Sequence, residues 1–324
     1  MTKYILISII IFTVITIFAI VVYIPKKLTN QTVVVIGGGP KMDFFYTEAM
    51  IILKILETDM YDKDLRFNVA ETQGSGENLY GLMENKFYLA LANSNLAYNI
   101  YSNINLTKSS ELRTVAALHT EYLIFIARKD IKSINDVKGK KISFPDEKMS
   151  NTGNLAKKVL ANYGIQETQY TRLKYGYDKS MYEFLAGNLD GVFYICALPS
   201  PFISGLLKNK KYPAHPVPIE SYKLKKLLER NKYLVPTGIP QITYSDHTGK
   251  NIQTIGSRTL LLTTKNTDIS LIYLMTKYLT ESFKKYEEVH PSLERITLKS
   301  MTNNLPVPLH HGALKYYTEN TIHY

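Results

Sequence analysis

Four β-branched residues, Val33-Val34-Val35-Ile36, run into Gly37-Gly38-Gly39-Pro40. After Lys41-Met42-Asp43 comes a stretch from Phe44 to Leu56 with apolar residues at helical spacing. The pattern reads as a buried strand, a tight turn and a helix. Such a unit leaves backbone N–H groups at a helix N-terminus, where they and the helix dipole attract an anion. The unit then repeats. Strand-like stretches at 33–36, 66–70, 89–92, 123–127, 141–144, 192–195 and 259–263 alternate with helical patterns at 44–58, 77–84, 155–163, 180–186 and 269–286. This alternation restricts the chain to α/β architecture with parallel sheets.

The glycine turn is compatible with several chemistries, and spacing separates them. A dinucleotide fingerprint needs a third glycine where Met42 stands, and a triphosphate loop needs Gly-Lys-Ser or Gly-Lys-Thr, which the chain lacks. An anion-cradling ligand turn is left. Further Ser/Asn/Gly turns close other strands: Thr72-Gln73-Gly74-Ser75-Gly76, Asn93-Ser94-Asn95 and Ser150-Asn151-Thr152-Gly153. Ligands of open α/β sheets bind where such strand-end turns converge. Turns from both halves of the chain point to a cleft between two lobes.

At 324 residues the chain can form two lobes, each with its own core. Its net charge of +11 comes from scattered Lys and Arg without a basic run, which disfavours nucleic acid and fits a lysine-rich surface, or a preference for anionic small molecules or an anionic membrane surface. The single cysteine, Cys196, permits neither an internal disulfide nor a zinc cluster built on cysteine. His310 and His311 are adjacent, and His119, His215, His247, His290 and His323 have no ligand spacing, so structural or surface roles are expected. No nucleophile elbow occurs. The reading is a non-enzyme without cofactor or metal.

An apolar run over residues 4–24, preceded by Lys3 and closed by Pro25-Lys26-Lys27, is long enough to span a bilayer. It is expected to act as a signal peptide or an uncleaved signal anchor over residues 1–29. Near the C-terminus, Leu305-Pro306-Val307-Pro308-Leu309 reads as an extended strap, with Gly312 allowing the turn into a short helix from Leu314 to Asn320.

From about Val33 to Tyr317 the order of motifs resembles the TAXI-type solute receptors of tripartite ATP-independent periplasmic (TRAP) transporters. The pieces are Gly74-Ser75-Gly76-Glu77-Asn78-Leu79, Asn93-Ser94-Asn95-Leu96-Ala97-Tyr98, Arg113-Thr114-Val115-Ala116-Ala117-Leu118 and Ile134-Asn135-Asp136-Val137-Lys138-Gly139. Asp190 through Tyr194, Ala197-Leu198-Pro199-Ser200-Pro201, Val235-Pro236-Thr237-Gly238-Ile239-Pro240 and the 305–313 strap continue the series. The resemblance implies a two-lobed periplasmic-binding-protein fold of type II kind, preceded by one hydrophobic helix. It implies a monomeric, extracytoplasmic receptor, tethered to the inner membrane if residues 4–24 stay uncut. Such a receptor captures a small organic anion, a glutamate-like amino acid or a dicarboxylate, and delivers it to TRAP-type permease subunits.

Lobe 1 is expected at 30–120 and 255–324 and lobe 2 at 121–254, with hinge strands near 113–128 and 252–263. The ligand-binding set is Gly38, Gly39 and Lys41 for a carboxylate, then Thr72, Gly74, Ser75, Asn93 and Ser94 from the same lobe. Ser150, Asn151, Thr152, Tyr194 and Pro199 close from the other. The chain departs from the resembled family at Pro40-Lys41-Met42-Asp43, where small residues are usual: Pro40 removes an N–H and Asp43 adds a negative charge. Specificity is expected to be decided there. A rival reading keeps the fold in a membrane-tethered sensor or interaction protein without transport.

Overall fold

β1 (Thr32–Gly37) passes through the glycine turn into α1 (Phe44–Asp59), and β2 (Leu65–Ala70), α2 (Ser75–Met83), β3 (Leu89–Asn93) and α3 (Ser94–Tyr101) follow. β4 (Leu112–Arg128) then carries the chain into a second set. That set comprises β5 (Lys141–Ser143), α4 (Asn151–Asn162), β6 (Thr171–Leu173), α5 (Tyr177–Leu185), β7 (Gly191–Cys196), α6 (Pro201–Leu207), β8 (Ala214–Val217), α7 (Ser221–Glu229) and β9 (Leu234–Ile239). β10 (Ile252–Thr264) returns to the first set, which ends with α8 (Ile269–Ser282), α9 (Leu298–Thr302) and α10 (His311–Asn320). This computed structural model describes residues 32–61, 64–244, 251–294 and 296–320, so the expected membrane segment at 4–24 lies outside the described residues. Among the described residues no helix is long and apolar enough to cross a membrane.

The sheet runs β2-β1-β3-β10-β4-β7-β5-β6, with β8 on β4 and β9 on β10. β1 is parallel to β2 and β3, and β5 is parallel to β6 and β7, as alternating strands and helices require. The two central strands differ: β10 and β4 run antiparallel to each other and to β3 and β7. Both are long and serve two lobes. β4 pairs β10 along 112–122, with register shifts, and β7 at 122–127. β10 pairs β3 at 259–262 and β9 at 252–257. The outer half of β10, Ile-Gln-Thr-Ile-Gly-Ser-Arg, lacks a continuous apolar run, so hydrophobic periodicity marks only its inner half.

Each lobe carries core on both faces of its sheet. In lobe 1, Val34, Ile36, Ile52, Leu56 and Met275 pack on one face, and Leu79, Leu82, Ala92 and Leu262 on the other. In lobe 2, Phe144, Leu155, Val159 and Phe193 oppose Tyr194, Phe202, Ile203 and Leu206. All five residues of β3 are buried, the pattern of a strand covered on both faces. The C-terminal strap docks on β4: Thr114 donates through N and Oγ1 to the carbonyls of Pro308 and Val307, both at 2.8 Å. Gly312 lies inside α10, one residue past its start, so it does not shape a turn. It is needed because α8 is close: a Cβ there would lie 2.2 Å from the Ile269 carbonyl oxygen.

Candidate ligand site between the lobes

The lobes are closed on each other. The amides of Gly76 and Glu77, at the N-terminus of α2, donate to the Met149 carbonyl of lobe 2 at 2.9 and 3.3 Å. Approach there is so close that a Cβ on Gly76 would lie 1.8 Å from the Lys148 carbonyl oxygen. Beside it, Asn95 and Asn151 exchange side-chain hydrogen bonds of 2.8 and 3.0 Å. Ser94 Oγ donates to the Tyr233 carbonyl at 3.1 Å, and the Tyr98 and Tyr233 rings meet at 4.7 Å.

Lobe 1 spends most of its turn polarity on itself. Thr72 Oγ1 donates to Asn78 Oδ1 at 2.9 Å and accepts from the Gly74 amide at 3.2 Å. Asn78 Nδ2 bonds the carbonyls of Gly38 and Leu91. The Gly38 amide is taken by the Ala70 carbonyl and the Gly39 carbonyl by the Thr72 amide. Ser75 Oγ bonds Asn93 Oδ1 at 3.0 Å, and Asn93 Nδ2 donates to Glu121 at 2.8 Å. Lys41 stands outside, its Nζ 3.1 Å from Glu71 with both side chains more than half exposed. The Gly38 amide and the Lys41 cation expected to hold a carboxylate are therefore already paired in this state.

In lobe 2, Thr152 Oγ1 lies 2.8 Å from the Tyr177 hydroxyl and accepts from the Ile195 amide, and Ser150 Oγ lies 3.5 Å from the same hydroxyl. Tyr177 packs edge-on against Tyr194, ring centroids 4.3 Å apart. These residues sit between two spaces. An outer cleft of about 650 Å³ is lined by Thr72, Gln73 and Glu77 of lobe 1 and by Asp146, Lys174, Tyr177, Asp178 and Lys179 of lobe 2. An inner cavity of about 230 Å³ is lined by Met42, Asp43, Phe44 and Thr47 on one side and by Tyr194, Cys196, Pro199 and Ser200 on the other, with His290 between. The structure brings Tyr194 and Pro199 from the expected set to this inner cavity, with Ser150 and Thr152 behind Tyr177.

The inner region is acidic. Asp43 is 5% exposed and its Oδ1 has no hydrogen-bond partner among the described residues; the same holds for Glu121 Oε1, Glu48 Oε2 and the Tyr194 hydroxyl. Burial pushes the Asp43 carboxyl up to about 7, opposed by the amides of Phe45 and Phe44 and by His119, and helped by Glu48. Burial, then the charge of Asp43, holds Glu121 well above the carboxylate range. Burial likewise raises the Tyr194 and Cys196 groups, with Asp43 again the next cause. Glu48 reaches His119 Nδ1 at 2.9 Å, both fully enclosed. Among the described residues no Lys or Arg lines the inner cavity, and no cluster of three or more His, Cys, Asp or Glu is placed to hold a metal ion.

The model of the NMT1-like family matches residues 36–320. The chain belongs to the NMT1-like family. Among solved structures, this NMT1-like chain is similar to the alkanesulfonate-binding protein SsuA from Xanthomonas axonopodis pv. citri bound to MOPS. Identity is 15% over 90% of this chain and 84% of that one, with a TM-score of 0.50. It is similar to the same degree, TM-score 0.50, to a protein from Bordetella bronchiseptica RB50, at 14% identity over 89% of each chain. The fold is the two-lobed periplasmic-binding-protein fold.

Several residues around the cavity of the NMT1-like chain were absent from the sequence-derived site. Asp43 was noted only as an added charge, and Glu48, Glu121, Tyr177 and Asn95 were not assigned. Glu121 had a signal: it is a lone carboxylate in the run Leu118-His119-Thr120-Glu121-Tyr122-Leu123, which leads into the strand-like stretch at 123–127. Tyr177 had none, since it opens a helix whose neighbours are charged.

Proposed function

We propose that this NMT1-like protein is an extracytoplasmic solute receptor that closes two lobes on a small organic molecule and delivers it to a TRAP-type membrane permease. The observation that carries this reading is a cavity lined by residues of both lobes that holds unpartnered polar atoms, with further hydrogen bonds joining the lobes at Asn95–Asn151 and Gly76–Met149. A structural protein gains nothing from burying Asp43 Oδ1 and the Tyr194 hydroxyl without partners, which is costly. A receptor does, because the solute supplies the partners. β4 and β10 act as the hinge, with residues 30–120 and 255–324 moving against 121–254, and binding shifts an open–closed equilibrium.

Of the two solute kinds the resemblance implies, the charge distribution favours a glutamate-like amino acid over a dicarboxylate. The inner cavity offers a carboxylate, and the outer cleft carries Glu71, Glu77, Asp146 and Asp178 against Lys174 and Lys179, so a second carboxylate on the solute is disfavoured. Binding residues in this reading are Asp43, Tyr194, Pro199, Thr152 and Ser150, with Thr72 and Ser75 shaping the lobe 1 wall.

Two measurements test the reading. Mass spectrometry of small molecules released when the purified chain is unfolded is expected to find one stoichiometric organic solute. In proteoliposomes with a TRAP-type permease, uptake of that solute is expected to need the receptor and to collapse when the ion gradient is dissipated. A chain that neither carries nor binds any small solute would end the receptor reading; uptake insensitive to the gradient would end the TRAP part of it.

A further inference from the structure

The inner cavity has walls contributed by Met42, Phe44, Pro199 and Val289, and its polar edge includes Asp43 and Tyr194. The Asp43 carboxyl precedes α1, where the Phe45 and Phe44 amides favour its charged form, yet no capping hydrogen bond meets its side chain and Oδ1 has no partner among the described residues. Its Oδ1 and the Tyr194 hydroxyl are both buried and both unpartnered among the described residues. Glu121, on β4, is close enough for each ionised carboxylate to oppose the other and also leaves one oxygen unpartnered. What is missing from such an arrangement is a compact donor of positive charge.

We infer that Asp43 Oδ1 and the Tyr194 hydroxyl receive a protonated organic amine, so that the solute is recognised by its ammonium group. The inference rests on the receptor reading above and specifies which part of the solute the inner cavity takes. An ammonium has three N–H donors and no acceptor, which fits a carboxylate oxygen and a phenolic oxygen that both lack a donor. Apolar walls favour an ammonium carried on carbon over a monatomic cation, which would demand further oxygens at short range. No described Lys or Arg lines the cavity to compete for Asp43. A carboxylate placed there would instead meet two buried acids without a counter-charge.

Calorimetric and thermal-shift titrations of the purified full chain at pH 8 and constant ionic strength separate the possibilities. The probes are glutamate, its amine-free counterpart glutarate, propylammonium chloride, and sodium chloride. Binding is expected for glutamate and propylammonium and absent for glutarate and sodium. Asp43→Asn is expected to weaken propylammonium binding about 10- to 100-fold and Tyr194→Phe about 5- to 10-fold. Tyr194→Phe removes one oxygen atom and keeps the ring packing, so it reports on binding even if the Asp43 variant folds poorly. Glutarate binding as tightly as glutamate, or sodium matching propylammonium, would overturn the amine inference while leaving a receptor. If none of the probes binds while mass spectrometry still finds a solute released from the purified chain, the amine inference falls and the receptor reading stands; if no solute is released either, both fall.

Discussion

Asn95, at the start of α3 in lobe 1, and Asn151, at the start of α4 in lobe 2, exchange two amide hydrogen bonds of 2.8 and 3.0 Å across the cleft. Both residues are buried, and each uses its carbonyl and its NH₂ toward the other. In the proposed receptor cycle the pair forms only while the lobes are closed. In the open form both amides return to water, so the net gain from the pair is modest and reversible. That is the energetic profile of a latch, and its strength biases the open–closed equilibrium directly.

Asn151→Ala leaves the Asn95 amide buried and unpaired on closure and so penalises the closed form by about 1–3 kcal/mol. Solute affinity is expected to fall about 5- to 100-fold, with little change in the melting temperature of the solute-free protein. Adding Asn95→Ala is expected to restore part of the loss, since no amide is then stranded. Calorimetric titration of the single and double variants measures this.

Gly76→Ala is the sharper probe of closure. Its Cβ would lie 1.8 Å from the Lys148 carbonyl oxygen in the closed form, whereas within α2 alanine is the better helix former by up to about 1 kcal/mol. The variant is therefore expected to melt at or slightly above the wild-type temperature and to lose solute affinity more than about 100-fold. Loss of both folding and binding would contradict the assignment of this contact to closure.

The Asp43 carboxyl, held at about 7 in the closed arrangement against an ordinary value near 4, gives the closed protein a distinctive pH response. Between those values the folded state keeps a proton that the unfolded chain releases, so stability declines as pH rises. This contribution is complete below about pH 4 and is lost as pH rises through 7. Glu121, raised for the same reason, acts with the same sign. The groups facing Asp43 are Glu48, His119, Glu121, Tyr177, Tyr194, Cys196 and His290. Asp43→Asn is expected to match the wild type near pH 4 and to exceed it at pH 8 in denaturant titrations, by at most about 2–4 kcal/mol when the lobes stay closed and by less when they open.

Glu48 and His119 form a fully enclosed pair at 2.9 Å, with Phe44 edge-on to the imidazole at 5.1 Å. Removing one partner strands the other. His119→Ala is expected to cost about 3–5 kcal/mol in chemical denaturation, and Glu48→Leu with His119→Leu to recover much of it.

The α/β alternation of the fold was legible because buried parallel strands such as β1 and β3 are nearly continuous apolar runs, and α1 repeats its apolar residues at helical spacing. The antiparallel crossing of β4 and β10 was less so, since the polar half of β10 gains its order from pairing with β4 and β9. At the site, Ser150, Thr152, Tyr194 and Pro199 stood out through turn residues and family-like order. The electrostatics did not. Lys41 looks like the cation of the glycine loop, yet Glu71, thirty residues away, holds it at the surface. Asp43 looks like a surface charge in sequence, yet the fold buries it opposite Tyr194. Which of two neighbouring charges faces the cavity depends on the direction of a turn, and hydrophobic patterning carries no information about that.

Electron–electron distance measurement between spin labels at Gln73→Cys and Lys179→Cys, exposed residues on opposite walls of the outer cleft, tests closure on a solute most directly. Cys196 is buried with its thiol pushed up by burial, so it does not compete for the label. A receptor that closes on its solute gives a long, broad distance distribution alone and a short, narrow one with a saturating amine-bearing solute. An identical distribution with and without every solute tried would contradict it.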